Sequence, residues 1–257
     1  MTFPPHLAYL KDPSTMWFNP CWGYHGFWKR LSEFRQERNL DFQTAWSHRD
    51  MKRNKELYAT ALAALCVQQD APSEYGWWFT KPSQDPPDGV IATPVRDTEL
   101  DANIIRVREV EVVEYLGGSL LDTIRQKLKG KSYEPNTILV CLLSPQGSDQ
   151  LTVFNFESLA KQIKQAALPL AHVFLAGHGF QIPLDFEKMS REQQFEEMYK
   201  IMLVQLLPKY AMTNISPLHC CKNFREGKEQ AWLKFIGLGK GTGFQKVTAD
   251  AVPELFN

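Results

Sequence analysis

Three acids are placed where they could do chemistry together. Asp88 follows Pro87 and opens the short apolar run Gly89-Val90-Ile91, while Glu109 and Glu111 stand two residues apart inside Ile105–Tyr115. That longer run is rich in β-branched residues and reads as a strand. Alternation along a strand then puts Glu109 and Glu111 on one face, in a row with Val107 and Val113. Two carboxylates on one face of such a strand are costly unless a cation or solvent compensates them. A hard divalent cation shared with Asp88 would do so. The plainer reading makes Asp88 a turn acid beside a glycine. It makes Glu109 and Glu111 the solvent row of an edge strand, neutralised by cross-strand basic residues. Arg106 and Arg108 occupy the opposite row.

The elements that must position these acids follow from periodicity. A helix is expected from about Asp50 to Gln69, with Leu57, Ala61, Ala64 and Leu65 on one side and Asp50 as its cap. Strands are expected at 75–80, 89–93 and 103–115, the first two separated by the Pro- and Asp-containing segment 81–87. Gly117-Gly118 stops the third strand. Ser119 can cap a helix over 120–129, made amphipathic by Leu120, Leu121, Ile124 and Leu128. The continuous apolar run 137–143 suits a central strand covered on both faces. A strand at 151–154, a helix at 157–167 and a strand at 172–176 extend the pattern. Ser190 and Gln193 form a capping box that opens an expected helix over 190–207, with Phe195, Met198, Ile201, Met202 and Leu206 as its core stripe. Before residue 50 the chain is crowded with aromatic residues, read as an irregular layer with a short helix at 28–39. The expected organisation is an aromatic-rich extension over 1–49, an α/β core over 50–185 and a C-terminal elaboration over 186–257.

The order helix, strand, strand, long strand, helix, strand resembles the core of the PD-(D/E)xK restriction-endonuclease-like nuclease superfamily. Pro87-Asp88 matches the first half of its motif and Glu109-Val110-Glu111 the second, over roughly residues 50–143. The resemblance implies a fold with a mixed central sheet flanked by helices. It also implies a metal-dependent endonuclease that hydrolyses phosphodiester bonds, with DNA favoured as the nucleic-acid partner, Mg2+ as the cofactor and Mn2+ as its substitute. On this reading Asp88, Glu109 and the carbonyl of Val110 hold the metal, with Glu56 of the preceding helix as an accessory acid. The family lysine is replaced by Glu111, which would accept a proton or bind a second ion. A cation is then expected from the next helix, with Lys127 in the catalytic role and Lys129 and Lys131 beside it. Many members cut as dimers, so the resemblance allows a homodimer. The rival reading is a catalytically inactive protein that keeps the fold as a nucleic-acid-binding or assembly module.

Bulk composition bounds these readings. The 257 residues carry 29 basic and 29 acidic side chains, so a nucleic-acid partner needs local clustering of charge and not an overall basic surface. Five cysteines without zinc-finger spacing read as reduced, mostly buried thiols of a cytoplasmic or other reducing compartment. No membrane partner is expected, because no run reaches the roughly 18 apolar residues of a span. His219-Cys220-Cys221 and His178 are weaker candidates for chemistry, the first because adjacent cysteines rarely share one tetrahedral ion. The Gly-rich stretch 237–243 lacks the spacing of a phosphate-binding loop.

Overall fold

The computed structural model describes residues 15–82, 87–99, 102–144, 155–178, 186–191, 193–194, 200–216, 232–236 and 243–246. In chain order these form β1 (Trp17–Phe18), α1 (Pro20–Arg38), α2 (Phe42–Ser47), α3 (Lys52–Asp70), β2 (Trp78–Thr80), β3 (Gly89–Asp97) and β4 (Ala102–Tyr115). They continue with α4 (Leu120–Leu128), β5 (Ile138–Leu143), α5 (Phe156–Gln165), β6 (His172–His178), β7 (Ile201–Leu207), β8 (Ala211–Ile215), β9 (Trp232–Ile236) and β10 (Gly243–Lys246). The architecture is mixed α/β. One ten-stranded sheet has the order β10-β9-β1-β2-β3-β4-β5-β6-β7-β8. β4, β5 and β6 run parallel, joined by crossovers through α4 and α5, and every other neighbouring pair is antiparallel. The sheet draws strands from all three of the segments expected from sequence.

Alternation along β4 divides the core between two faces. Val110 and Val112 turn toward α1 and α3, among Phe27, Leu57, Tyr58 and Leu62. Tyr115 turns the other way, where Leu120 and Ile124 of α4 and Leu159 and Ile163 of α5 meet Leu139, Cys141, Val173 and Leu175. β5 is buried along its whole length, as its unbroken apolar sequence requires.

Several expectations need correction. The aromatic segment from Pro20 to Trp28 is helical: Asn19 accepts a hydrogen bond from Cys21 N at 2.9 Å and Pro20 sits in the first turn, so α1 starts there. Its buried row of Tyr24, Phe27, Leu31 and Phe34 has helical spacing. The sequence places Phe27, Leu31 and Phe34 on one face, and the structure extends that row back through Tyr24. Asp50 does not cap α3; it lies in a single 3-10 turn, Arg49–Met51, that feeds into the helix. The expected helix over 190–207 is cut short. Ser190 and Gln193 do exchange capping hydrogen bonds at 2.9 and 3.2 Å, but Ile201–Leu207 is strand β7, paired with β6 and β8. Its run Ile-Met-Leu-Val-Gln-Leu-Leu is as suited to a covered strand as to a helix, and only pairing with β6 decides it. Cys21 is disulfide-bonded, whereas Cys66 and Cys141 are free and buried. The expectation of uniformly reduced thiols therefore fails at Cys21. The proposed strand at 151–154, the His219-Cys220-Cys221 group, all but the last residue of the stretch 237–243 and the side chain of His178 lie outside the described residues. Among the described residues no helix is long and apolar enough to cross a membrane.

Gly89 fixes how closely β3 approaches α3. A Cβ there would fall 2.0 Å from Thr60 Oγ1 and 2.6 Å from its Cγ2. Thr60 is fully buried and donates its hydroxyl to the Glu56 carbonyl at 2.8 Å, so it has little freedom to yield. Gly89→Ala is expected to destabilise the protein by about 1–3 kcal/mol, the usual range for overpacking. Urea unfolding measures this, and a variant as stable as the native protein would show that the strand and helix can separate there.

A second core feature titrates. Arg108 Nη1 lies 2.9 Å from His172 Nε2. Arginine can only donate, so Nε2 accepts and the proton of the neutral ring sits on the buried Nδ1. Burial, followed by the Arg108 charge, lowers the His172 pKa from 6.5 to about 4. The fold therefore favours the neutral imidazole, and its contribution is complete above the unfolded value and lost as pH falls toward 4. Stability of the native protein should drop between these pH values more steeply than that of His172→Gln, by up to about one proton per molecule. Parallel slopes in denaturant titrations at several pH values would contradict this.

Candidate active site

The site forms where β3 and β4 begin to pair beneath the C-terminal end of α4. Gly89 is opposite Val110 in the antiparallel register and Val90 is opposite Glu109. Continuing that ladder by one step sets Asp88 across from Glu111, with Glu109 two residues along the strand. Asp88 is buried, and its Oδ2 accepts from the Val112 amide at 2.8 Å. Glu111 is only 1% exposed. Parallel pairing of Glu111 with Leu139 on the other side of β4 keeps it inside the sheet and away from any edge.

Lys127 joins the two acids. Ser119 caps α4 by accepting from Asp122 N at 3.2 Å, and Leu120, Ile124 and Leu128 bury its apolar stripe against the sheet. Lys127, in the last turn, directs its ammonium to the sheet rim. Its Nζ is 2.7 Å from Asp88 Oδ2 and 2.9 Å from Glu111 Oε2. Gly130, at φ +74°, turns the chain back so that Lys131 Nζ comes 3.5 Å from the same Glu111 oxygen. Burial alone would lower the Lys127 pKa, but its contacts with Asp88 and Glu111 outweigh burial and raise it. Lys127 therefore stays charged through the neutral range. Glu111 Oε2, for all its proximity to two lysines, makes no aligned hydrogen bond. It is a buried oxygen 2.9 Å from one ammonium and 3.5 Å from another.

The other expected residues are placed differently. Glu109 is half-buried, further along the strand. Val110 has its side chain in the core and its backbone between β3 and β5. Glu56, on α3, belongs to the opposite side of the sheet and is held by Arg53 Nη1 at 2.9 Å and Lys52 Nζ at 3.7 Å. It touches the site only indirectly, through Arg53, which also approaches the Asp88 carbonyl at 3.5 Å and the Pro82 carbonyl at 3.4 Å. Glu114 faces the α3 side as well, where it accepts from Trp46 Nε1 at 2.8 Å and pairs with Lys55. The structure thus brings together Asp88, Glu111 and Lys127, with Lys131 at the margin.

Tyr133 is a member of the site that sequence reasoning missed. Its hydroxyl donates to the Lys127 carbonyl at 3.2 Å. Burial first, then the charges of Glu111 and Asp88 against that of Lys127, raises its pKa to about 12. It lies in the loop after α4, and no spacing ties it to the acids.

Asp88 and Glu111 offer hard oxygen donors of the kind a small divalent ion takes. Mg2+ commonly takes only one or two protein carboxylates and completes its shell with water and phosphate oxygens. The pair fits such an ion. No group of three or more acids, histidines or cysteines occurs among the described residues, so an all-protein cage is not what they form. No family model, curated protein or solved structure matches the chain.

Proposed function

We propose that the chain is a metal-dependent phosphodiesterase acting on nucleic acid, DNA in preference to RNA, with a restriction-endonuclease-like core. The observation that carries this reading is a lysine from the helix after β4 lying within 3 Å of two buried carboxylates, one before β3 and one inside β4. The element order and the two acids support the resemblance to the superfamily, and Lys127 brings a cation to the acids from the helix after β4. Asp88 and Glu111 are the residues that would hold Mg2+, or Mn2+ in its place. When bound, the ion supplies positive charge to a phosphate oxygen and lowers the pKa of water.

The protein groups do the rest. Asp88 is oriented by the Val112 amide, so one of its oxygens is fixed before any ligand arrives. Lys127 provides a charge, held between two acids, for the oxygens of a phosphate that gains negative charge during displacement. Lys131 and Lys129 extend that charge toward the substrate backbone. Tyr133 secures the last turn of α4 and hence the position from which Lys127 reaches in. Glu109, half-buried two residues away on the same face of β4, is given no role in this reading.

A second reading, an inactive module that retains the fold, draws support from the neutralisation of both acids by Lys127 and Lys131. The two are separated by cleavage of labelled DNA and RNA of several structures in Mg2+ or Mn2+. The native protein should cleave at least one DNA substrate and Asp88→Asn should not. Binding without cleavage by both proteins would favour the inactive module.

A further inference from the structure

Three cations converge on the flank of the site that faces α3. The helix opens with Lys52 and Arg53, with no acid in its first turn and no side-chain cap. Glu56 meets both: Lys52 Nζ is 3.7 Å from one of its oxygens and Arg53 Nη1 is 2.9 Å from the other. Lys81 follows the end of β2, and Arg53 donates to the carbonyl of the next residue, Pro82, at 3.4 Å. Burial and then the Arg53 charge lower the Lys81 pKa, with Glu56 opposing. Two cations thus meet one carboxylate and a third, Lys81, is within the reach of their charges, while Lys52 and Lys81 are exposed. Like charges so placed repel one another, and an anion from solution would relieve the repulsion.

The position of the cluster narrows the kind of anion. Arg53 also reaches the Asp88 carbonyl, at 3.5 Å, so the cluster adjoins the residue whose carboxylate meets Lys127. Lys127 and Lys131 supply the other flank. A small phosphate ester at Asp88 and Glu111 would leave the second flank unused. A polynucleotide strand carries a charge at every nucleotide, so a phosphate at the centre brings its neighbour alongside. The geometry points to a second phosphate subsite, in which Lys52, Arg53 and Lys81 hold the phosphate adjacent to the one at Asp88 and Glu111 on the same strand. This rests on the phosphodiesterase reading and extends it to a substrate that continues past the scissile bond.

The test pairs a charge-removing variant, K52Q/K81Q, with a charge-keeping one, K52R/K81R. Neither alters Asp88, Glu111 or Lys127. Anisotropy of a labelled single-stranded oligonucleotide is measured in EDTA over a salt series. K52Q/K81Q should bind roughly tenfold more weakly, with a log affinity against log salt slope shallower by about 0.7 to 1.4, as for one or two lost phosphate contacts. K52R/K81R should match the native protein. Hydrolysis of bis(4-nitrophenyl) phosphate in Mn2+, a diester with no neighbouring phosphate, should be equal in all three. An unchanged slope in K52Q/K81Q, or an equal loss in both variants, would overturn the subsite. A shallower slope with no diester hydrolysis by the native protein would support the subsite and count against the hydrolytic reading.

Discussion

Glu111→Gln is expected to lower Mg2+-dependent phosphodiester cleavage by roughly a thousandfold, at the upper end of what loss of one charge-stabilising group costs. Glutamine keeps the size of the side chain and removes the anionic oxygen that lies 2.9 Å from Lys127 and is almost fully buried. Glu109→Ala, two residues away on the same strand, should change the rate by less than about threefold, in the range of a group that makes no transition-state contact. Initial rates at saturating Mg2+ compare the two directly. Equal losses would restore Glu109 to the site, and a loss confined to E109A would move the centre along β4.

Lys127→Met should give the largest loss of stability, about 3–5 kcal/mol without divalent metal, because it leaves two buried carboxylates without their shared partner. Lys131, 3.5 Å from Glu111, compensates one of them in part and places the expected value toward the lower end of that range. Asp88 is also held by the Val112 amide, but an amide does not cancel a full charge. Saturating Mg2+ should recover part of the loss, since a ligand that binds only the folded state stabilises it. Urea midpoints in EDTA and in Mg2+ read both effects. A variant as stable as the native protein in EDTA would mean that the acids are hydrated. A loss that Mg2+ leaves untouched would mean that they do not take up a divalent ion.

Much of this was legible in the sequence, for reasons that differ from element to element. The run 137–143 could hardly be anything but a covered strand, and β5 occupies 138–143. Ser119 and the spacing of Leu120, Ile124 and Leu128 defined α4 to within a residue. Alternation showed that Glu109 and Glu111 share a face, but which of them meets Asp88 depends on the register of β3 against β4. Register is set by pairing and by the close approach at Gly89, neither of which can be read from one strand. Lys127 was recognisable as a lysine on the next helix, while its ion pairs depend on the tilt of α4 over the sheet. Tyr133 left no signal, since it reaches the site through a backbone carbonyl. β7 reads as helix from sequence because a buried strand and a buried helix face share a composition.

The phosphodiesterase claim stands or falls on native protein stripped with EDTA, returned to Mg2+ at neutral pH and given end-labelled DNA and RNA. Cleavage that is absent in EDTA and returns with Mg2+ or Mn2+ is the result predicted. Failure to cut any of these substrates with either ion, or cutting at the same rate in EDTA, would contradict it.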